Sequence, residues 1–140
     1  MSIESLFSGM QISASGLSAQ RRRMDLIANN IANANTTRTA EGGPYKRMDV
    51  DFVAQVDPQT GMDSGVDISD VYVDPTAPRM VYDPGHPDAN KDGFVAYPNV
   101  NMITEMVNMT QVVRAYEANV TALNAAKDMI NKSFEIAAVS

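Results

Sequence analysis

The sequence predicts a mainly α protein with a small β-rich insert, its long N- and C-terminal helices packed as a coiled-coil-like pair. Three observations predict this. Apolar residues at both ends step by alternating threes and fours, the signature of a helix with one apolar seam. All seven prolines and six of the eight glycines lie between residues 42 and 98. Within those bounds apolar and polar residues alternate at period two, which is a strand pattern. The chain therefore divides into an N-terminal helix (1–36), an insert (37–100) and a C-terminal helix (101–140).

The first seam runs through Ile3, Leu6, Met10, Ser13, Leu17, Gln20, Met24, Ile27, Ile31 and Ala34. Its helix is expected to start near Ser2 or Ser5 and to fade among Asn29, Asn30, Asn33 and Asn35. Gly9 and Gly16 lie inside it, each costing about 1 kcal/mol against alanine in a helix interior. Ser13 and Gln20 interrupt the seam, so this segment alone in water forms a poor helix. Ala14, Ser15 and Ser18 keep the neighbouring surface small, which favours close helix–helix approach over accidental small residues.

Gly42-Gly43-Pro44 closes the helical regime. Met48, Val50, Phe52, Ala54 and Val56 then alternate with Asp49, Asp51, Val53 and Gln55, predicting a strand with one wet face. Val66 and Ile68, followed by Val71 and Val73, predict a second strand with a slip or bulge near Ser69-Asp70. Short strands follow around Arg79–Tyr82 and Phe94–Tyr97.

Pro98 marks the next boundary, with Asn99 or Asn101 as helix cap. From Asn101 to about Val139 there is no glycine or proline, and Ala118, Ala122, Ala125 and Ala126 favour helix. Its seam reads Met102, Met106, Met109, Val113, Tyr116, Val120, Leu123, Lys127, Ile130, Phe134 and Ala137, broken only by Lys127. A lysine stem can pack there while its ammonium reaches solvent or a carboxylate. The C-terminal helix is thus the sturdier of the two.

Composition narrows the function. An insert of roughly 60 residues is marginal as an independent core, so stability depends on the helices or on assembly. The net charge of −6 argues against general binding to nucleic acid or anionic membranes. Acidic groups concentrate in residues 41–100, which suits a solvated outer face. Cysteine is absent, which removes disulfides and thiolate metal sites. No apolar run is long enough to span a bilayer. The opening MSIESLFSGM lacks a basic start and a continuous apolar stretch, so it does not read as a secretory signal.

Few constellations invite chemistry. Asp88-Ala-Asn90-Lys-Asp92-Gly93 matches the first half of a calcium loop, but the bidentate glutamate expected at its twelfth position is Asn99. The plainer reading is a turn whose side chains cap their own backbone. His86 is the lone histidine; beside Asp83 and Asp88 it lacks a second nitrogen or thiolate ligand and reads as a loop-fixing hydrogen-bond group. A hydrolase built on His86 and an aspartate is the weakest alternative. Arg21-Arg22-Arg23 lie on a helix and fan around it, which suits a solvated face better than a nucleic-acid patch. No phosphate loop, dinucleotide fingerprint, nucleophile elbow or zinc spacing is present. No catalytic residue, cofactor or metal site is assigned, and the chain is not expected to be an enzyme.

Residues 13–36, above all Ala28-Asn29-Asn30-Ile31-Ala32-Asn33 followed by Asn35-Thr36, resemble the N-terminal signature of bacterial flagellar rod and hook proteins. Gly42-Gly43-Pro44-Tyr45, then Val81-Tyr82-Asp83-Pro84-Gly85-His86-Pro87-Asp88, extend the likeness. Tyr97-Pro98-Asn99-Val100-Asn101, Glu105-Met106-Val107 and Arg114-Ala115-Tyr116-Glu117-Ala118-Asn119-Val120 make it similar to the proximal-rod members of that family along nearly the whole chain. The resemblance implies a structural subunit, exported unfolded by the flagellar type III apparatus without a cleaved signal. Such a subunit assembles into a helical periplasmic tube in the basal body, transmits torque and lines a bore that conducts later subunits. The implied partners are copies of itself, other proximal-rod subunits, the rotor-proximal rod adaptor and the distal-rod protein. A monomeric helical binding module with a calcium-binding acidic loop is the alternative.

In the structural reading, the assembly interface consists of seam residues: Leu6, Met10, Leu17, Met24, Ile27 and Ile31 from the first helix. Met109, Val113, Tyr116, Val120, Leu123, Ile130 and Phe134 come from the second. Torque in a tube is shear between subunits, which many interlocking contacts resist better than one site. A flawed first helix orders only when neighbours cover it, the logic of coupled folding.

Overall fold

A computed structural model describes the backbone of residues 3–139 and the side chains of residues 5–138. The elements run α1 (Ile3–Ala32), β1 (Met48–Val56), β2 (Asp63–Val73), β3 (Arg79–Tyr82), β4 (Phe94–Tyr97) and α2 (Met102–Val139). The architecture is two long helices flanking a small insert of two antiparallel ribbons, β1–β2 and β3–β4. Of the expected α1 starts, Ser5 lies inside the helix, while Ser2 and the Ile3 side chain fall outside the described residues.

α1 packs along α2. Its predicted seam faces inward: Ile27 and Ala34 are buried, and Leu6, Met10, Leu17, Met24 and Ile31 are half-buried. At Gly16 the two helices lie close together. A Cβ there would sit 3.1 Å from the Asn119 amide nitrogen of α2, so the absent side chain is what admits Asn119. Gly9, by contrast, borders open space. Asn101 caps α2, its Oδ1 accepting the Ile103 and Thr104 N–H groups at 3.0 and 3.2 Å.

The C-terminal seam requires a correction. Glu105, Val112 and Ile130 are buried, and Met109, Tyr116, Asn119, Leu123 and Ala126 are half-buried. Met106, Val113, Lys127 and Phe134 are exposed. The inward face therefore shares Met109, Tyr116, Leu123 and Ile130 with the expected stripe. It takes Glu105, Val112, Asn119 and Ala126 in place of their following neighbours. Consecutive residues lie about 100° apart on a helix, so a one-residue change in half the row rotates the contact by half that angle. Small and polar residues line the true contact because α1 approaches closely there. Met106, Val113 and Lys127 are left facing outward.

The long ribbon has its bulge where expected. Asp51 pairs with Asp70 and Phe52 with Ile68, so Ser69 is the extra residue, and its hydroxyl donates to the Asp51 carbonyl. A two-stranded ribbon is marginal alone in water, and this one leans its β2 edge on α1. The Val66 N–H donates to Ser15 Oγ at 3.0 Å, and Gly65 (φ +136°) passes Ser15 with no room for a Cβ. The expected single wet face is only part of the picture. Val50 and Met48 are covered, but from Asp51 to Val56 every β1 residue is exposed, so the apolar face is open at its Phe52–Ala54 half.

The short ribbon packs on the 33–47 loop. Thr37 Oγ1 donates to Asp88 at 2.8 Å, and the Arg38 guanidinium pairs with the same carboxylate. Val95 is fully buried, and Tyr82 meets Phe94 edge-on with ring centroids 5.2 Å apart.

Candidate assembly interface

Two surfaces matter: an outward apolar row on α2, and a buried polar cluster that fixes the insert to both helices. Asn30, near the end of α1, is the hub of the cluster and is completely buried. Its amide Nδ2 donates to the Met48 carbonyl (2.8 Å) and to Glu105 (3.2 Å). Its Oδ1 accepts from the Tyr45 hydroxyl and the Met48 N–H, both at 3.0 Å. All four hydrogen bonds of this amide are therefore made. Toward Met48 it acts as a neighbouring strand would, pairing with both backbone groups.

Glu105, 1% exposed, sits in the first turn of α2, where the helix dipole favours a carboxylate. Arg47 Nε donates to it at 2.7 Å, while Arg47 also pairs with Asp49 at 3.0 Å and reaches Asp74 at 3.6 Å. The Arg47 backbone N–H donates to Asn99 Oδ1 at 3.2 Å. Burial opposes the guanidinium's charge, but hydrogen bonds to Glu105 and Asp49 outweigh it and raise its pKa. The cluster thus ties together α1, the open end of the long ribbon, where β1 starts and β2 finishes, and the start of α2. Asn30, Glu105 and the Arg47 guanidinium are hydrogen-bonded to one another and to their neighbours, which suits a positioning role, while Asn99 Nδ2 is buried without a partner.

Burial, and secondarily the Glu105 charge, raise the Tyr45 pKa above its ordinary 10.0 despite nearby Arg47. The phenol is easier to ionise in the unfolded chain, so its contribution is present below pH 10 and is lost as pH rises through the folded value. Tyr45→Phe is expected to cost about 1 kcal/mol at neutral pH, since Asn30 Oδ1 keeps its Met48 partner. It should also flatten the alkaline end of the stability profile, as read by urea melts at stepped pH.

The sequence-predicted interface residues fall into two groups. Leu6, Met10, Leu17, Met24, Ile27, Ile31, Met109, Tyr116, Leu123 and Ile130 lie buried or half-buried, while Val120 is half-buried beside the outward row. Val113 and Phe134 face outward, at 37% and 54% exposure, together with Met106 at 55%. Glu105, Arg47 and Asn30 are not recognisable as a cluster from the sequence. Its available signals were a charged residue in an otherwise apolar helix start and an arginine just before β1.

The acidic loop has another use for its ligands. Asp88 is taken by Thr37 and Arg38, and Asn90 Oδ1 accepts the N–H groups of Asp92 and Phe94 at 2.9 Å each. No group of three or more His, Cys, Asp or Glu is arranged to hold a metal among the described residues. The calcium module is therefore not supported. His86 Nδ1 accepts the Asp88 N–H at 3.0 Å and closes the loop. Arg23 lies over the Phe52 ring at 5.8 Å, whereas Arg21 and Arg22 are exposed. Among the described residues, no helix is long and apolar enough to cross a membrane.

Two family models match. Residues 10–38 match the flagella basal body rod protein model, and residues 91–136 match the C-terminal model of flagellar basal body rod FlgEFG proteins. The chain is 40% identical to the flagellar basal-body rod protein FlgC of Borreliella burgdorferi, over 94% of this chain and 97% of the relative. It is 40% identical to FlgC of Bacillus subtilis (93% and 97% covered) and 37% to FlgC of Salmonella typhimurium (89% and 92%).

Proposed function

The chain belongs to the FlgC family of flagellar basal-body rod proteins, and from that premise we propose how it works in the rod. Copies of the chain, with other proximal-rod subunits, stack into a helical tube that crosses the periplasm and passes torque from rotor to hook. The rotor-proximal adaptor and the distal-rod protein bound it at either end, and its bore conducts exported subunits. The role is mechanical and needs no catalysis.

The observation that carries the assembly reading is the outward row on α2, where Met106 and Phe134 keep more than half of their surface exposed and Val113 more than a third. Large exposed apolar side chains in a row mark a contact surface. The buried cluster gives the second mechanical requirement, because it fixes the insert to the helix pair so that load on one is carried by the other. Deletion of the chromosomal copy should abolish swimming and leave basal bodies without a rod, with both restored by the wild-type chain. Swimming in the deletion strain, or absence of the chain from purified basal bodies, would overturn the proposal.

A further inference from the structure

β2 is an 11-residue strand rich in valine and isoleucine, and Val71 and Val73 are 39% and 50% exposed. A long edge strand of this kind is a template on which another chain pairs through backbone hydrogen bonds. The ladder shows which N–H groups such pairing would use. Met48 gives its N–H and C=O to Asn30 rather than to β2, while its neighbour Arg47 accepts the Asp74 N–H. Met48 and its partner Val73 are therefore a pair whose backbone groups point outward. The alternation of an antiparallel ladder turns Val50 and Val71 outward as well. Past the Ser69 bulge it does the same for Ile68 and Val66, whose N–H goes to α1.

These outward donors are already occupied at both edges. α1 takes the Met48 N–H with Asn30 Oδ1 and the Val66 N–H with Ser15 Oγ, each at 3.0 Å. Elsewhere the strands cap themselves. Asp49 Oδ1 accepts the Val50 N–H at 2.9 Å. Asp67 Oδ1 accepts the Ile68 N–H and Asp70 Oδ1 the Val71 N–H, both at 2.8 Å. Each is an aspartate directly before a β-branched residue, with its carboxylate folded back onto its own edge. The Ile68 and Val71 caps are solvent-exposed, so they stand where α1 no longer shields β2.

We propose that Asp67 and Asp70, with Asp49 on β1, guard the ribbon's edges against pairing with the ribbon of a second copy. Their carboxylates hold the N–H groups that an incoming strand needs, and local side-chain acceptors of this kind compete directly with ladder hydrogen bonds. The contact is autoinhibitory: the ribbon stays two-stranded, and copies are left to meet through other surfaces. This guarding does not depend on which surface joins copies in the rod.

Two double variants separate the caps from the charges. Asp67→Ala with Asp70→Ala removes both, whereas Asp67→Asn with Asp70→Asn removes the charges and keeps an Oδ1 acceptor in place. Asp49 is left intact because it also pairs with Arg47. In the purified full chain, the alanine pair should show an oligomer fraction several-fold above wild type by sedimentation, together with the infrared band of intermolecular strands. The asparagine pair should match wild type in both. No rise for the alanine pair, or a rise without that band, would overturn the proposal. So would an asparagine pair that associates like the alanine pair, because charge repulsion would then be what keeps ribbons apart. Amide exchange in the wild-type chain gives a check that no folding defect can obscure. The Ile68 and Val71 N–H groups should exchange several-fold more slowly than in an unstructured peptide of residues 63–73, and exchange at the peptide rate would show that the caps do not form.

Discussion

Glu105→Ala should lower the free energy of unfolding by about 3–5 kcal/mol, the cost of removing one partner from a buried ion pair. The carboxylate is 1% exposed and accepts from both Arg47 and the Asn30 amide. Its removal leaves a guanidinium at 15% exposure facing an empty site, with only Asp49 and Asp74 near its rim. It also strands one donor of Asn30. A urea melt of the purified chain should show the midpoint fall by about 2 M with an unchanged slope. A neutral replacement of both partners, Glu105→Leu with Arg47→Met, should recover part of this loss, because no charge is then left buried alone. If Glu105→Ala costs less than about 1 kcal/mol, like an exposed pair, the cluster is not the anchor described.

The second large effect separates packing from assembly. Ile27 is 3% exposed in the α1–α2 contact, and Phe134 is 54% exposed on the outer row. Ile27→Asp buries an unpaired charge and should destabilise the chain by several kcal/mol, abolishing both the fold and motility. Phe134→Asp should leave the melt within about 0.5 kcal/mol of wild type, as surface changes do, and still block rod assembly. Swimming-plate assays and electron microscopy of basal bodies, set beside melts of the two purified chains, check the pair. A normal melt with normal swimming for Phe134→Asp would remove the outer row from the interface.

Much of this fold is legible in the residues because its determinants are local. The N-cap at Asn101 and the break after α1 follow from backbone preferences a few residues long. The bulge at Ser69 follows from the slip between Ile68 and Val71 in an otherwise alternating strand. His86 between Gly85 and Pro87 fits a loop-fixing group, and its Nδ1 accepts the Asp88 N–H two residues on. The α1 seam was also legible, since on that helix the apolar residues and the contact face coincide.

On α2 they do not coincide. Periodicity shows that a row exists, but not whether it covers its own chain or a neighbour. Here two rows share Met109, Tyr116, Leu123 and Ile130, which turn inward; where they differ, Glu105, Val112, Asn119 and Ala126 turn in and Met106, Val113 and Lys127 turn out. Close approach of α1, set by Gly16 against Asn119, selects the smaller and more polar row for the interior. Periodicity accordingly marks a set of seam residues on α2 but not their division between inside and outside.

The amino-acid sequence by itself determined where each helix and strand lies, because capping, turn chemistry and periodicity act over one or two turns. Only the tertiary structure decided which α2 row turns inward and that Asn30 and Glu105, 75 residues apart, share a buried hydrogen bond around Arg47. Such a cluster has no sequence period. Burial makes each of its polar groups costly unless its partners are present, and those partners come from elements that only folding brings together.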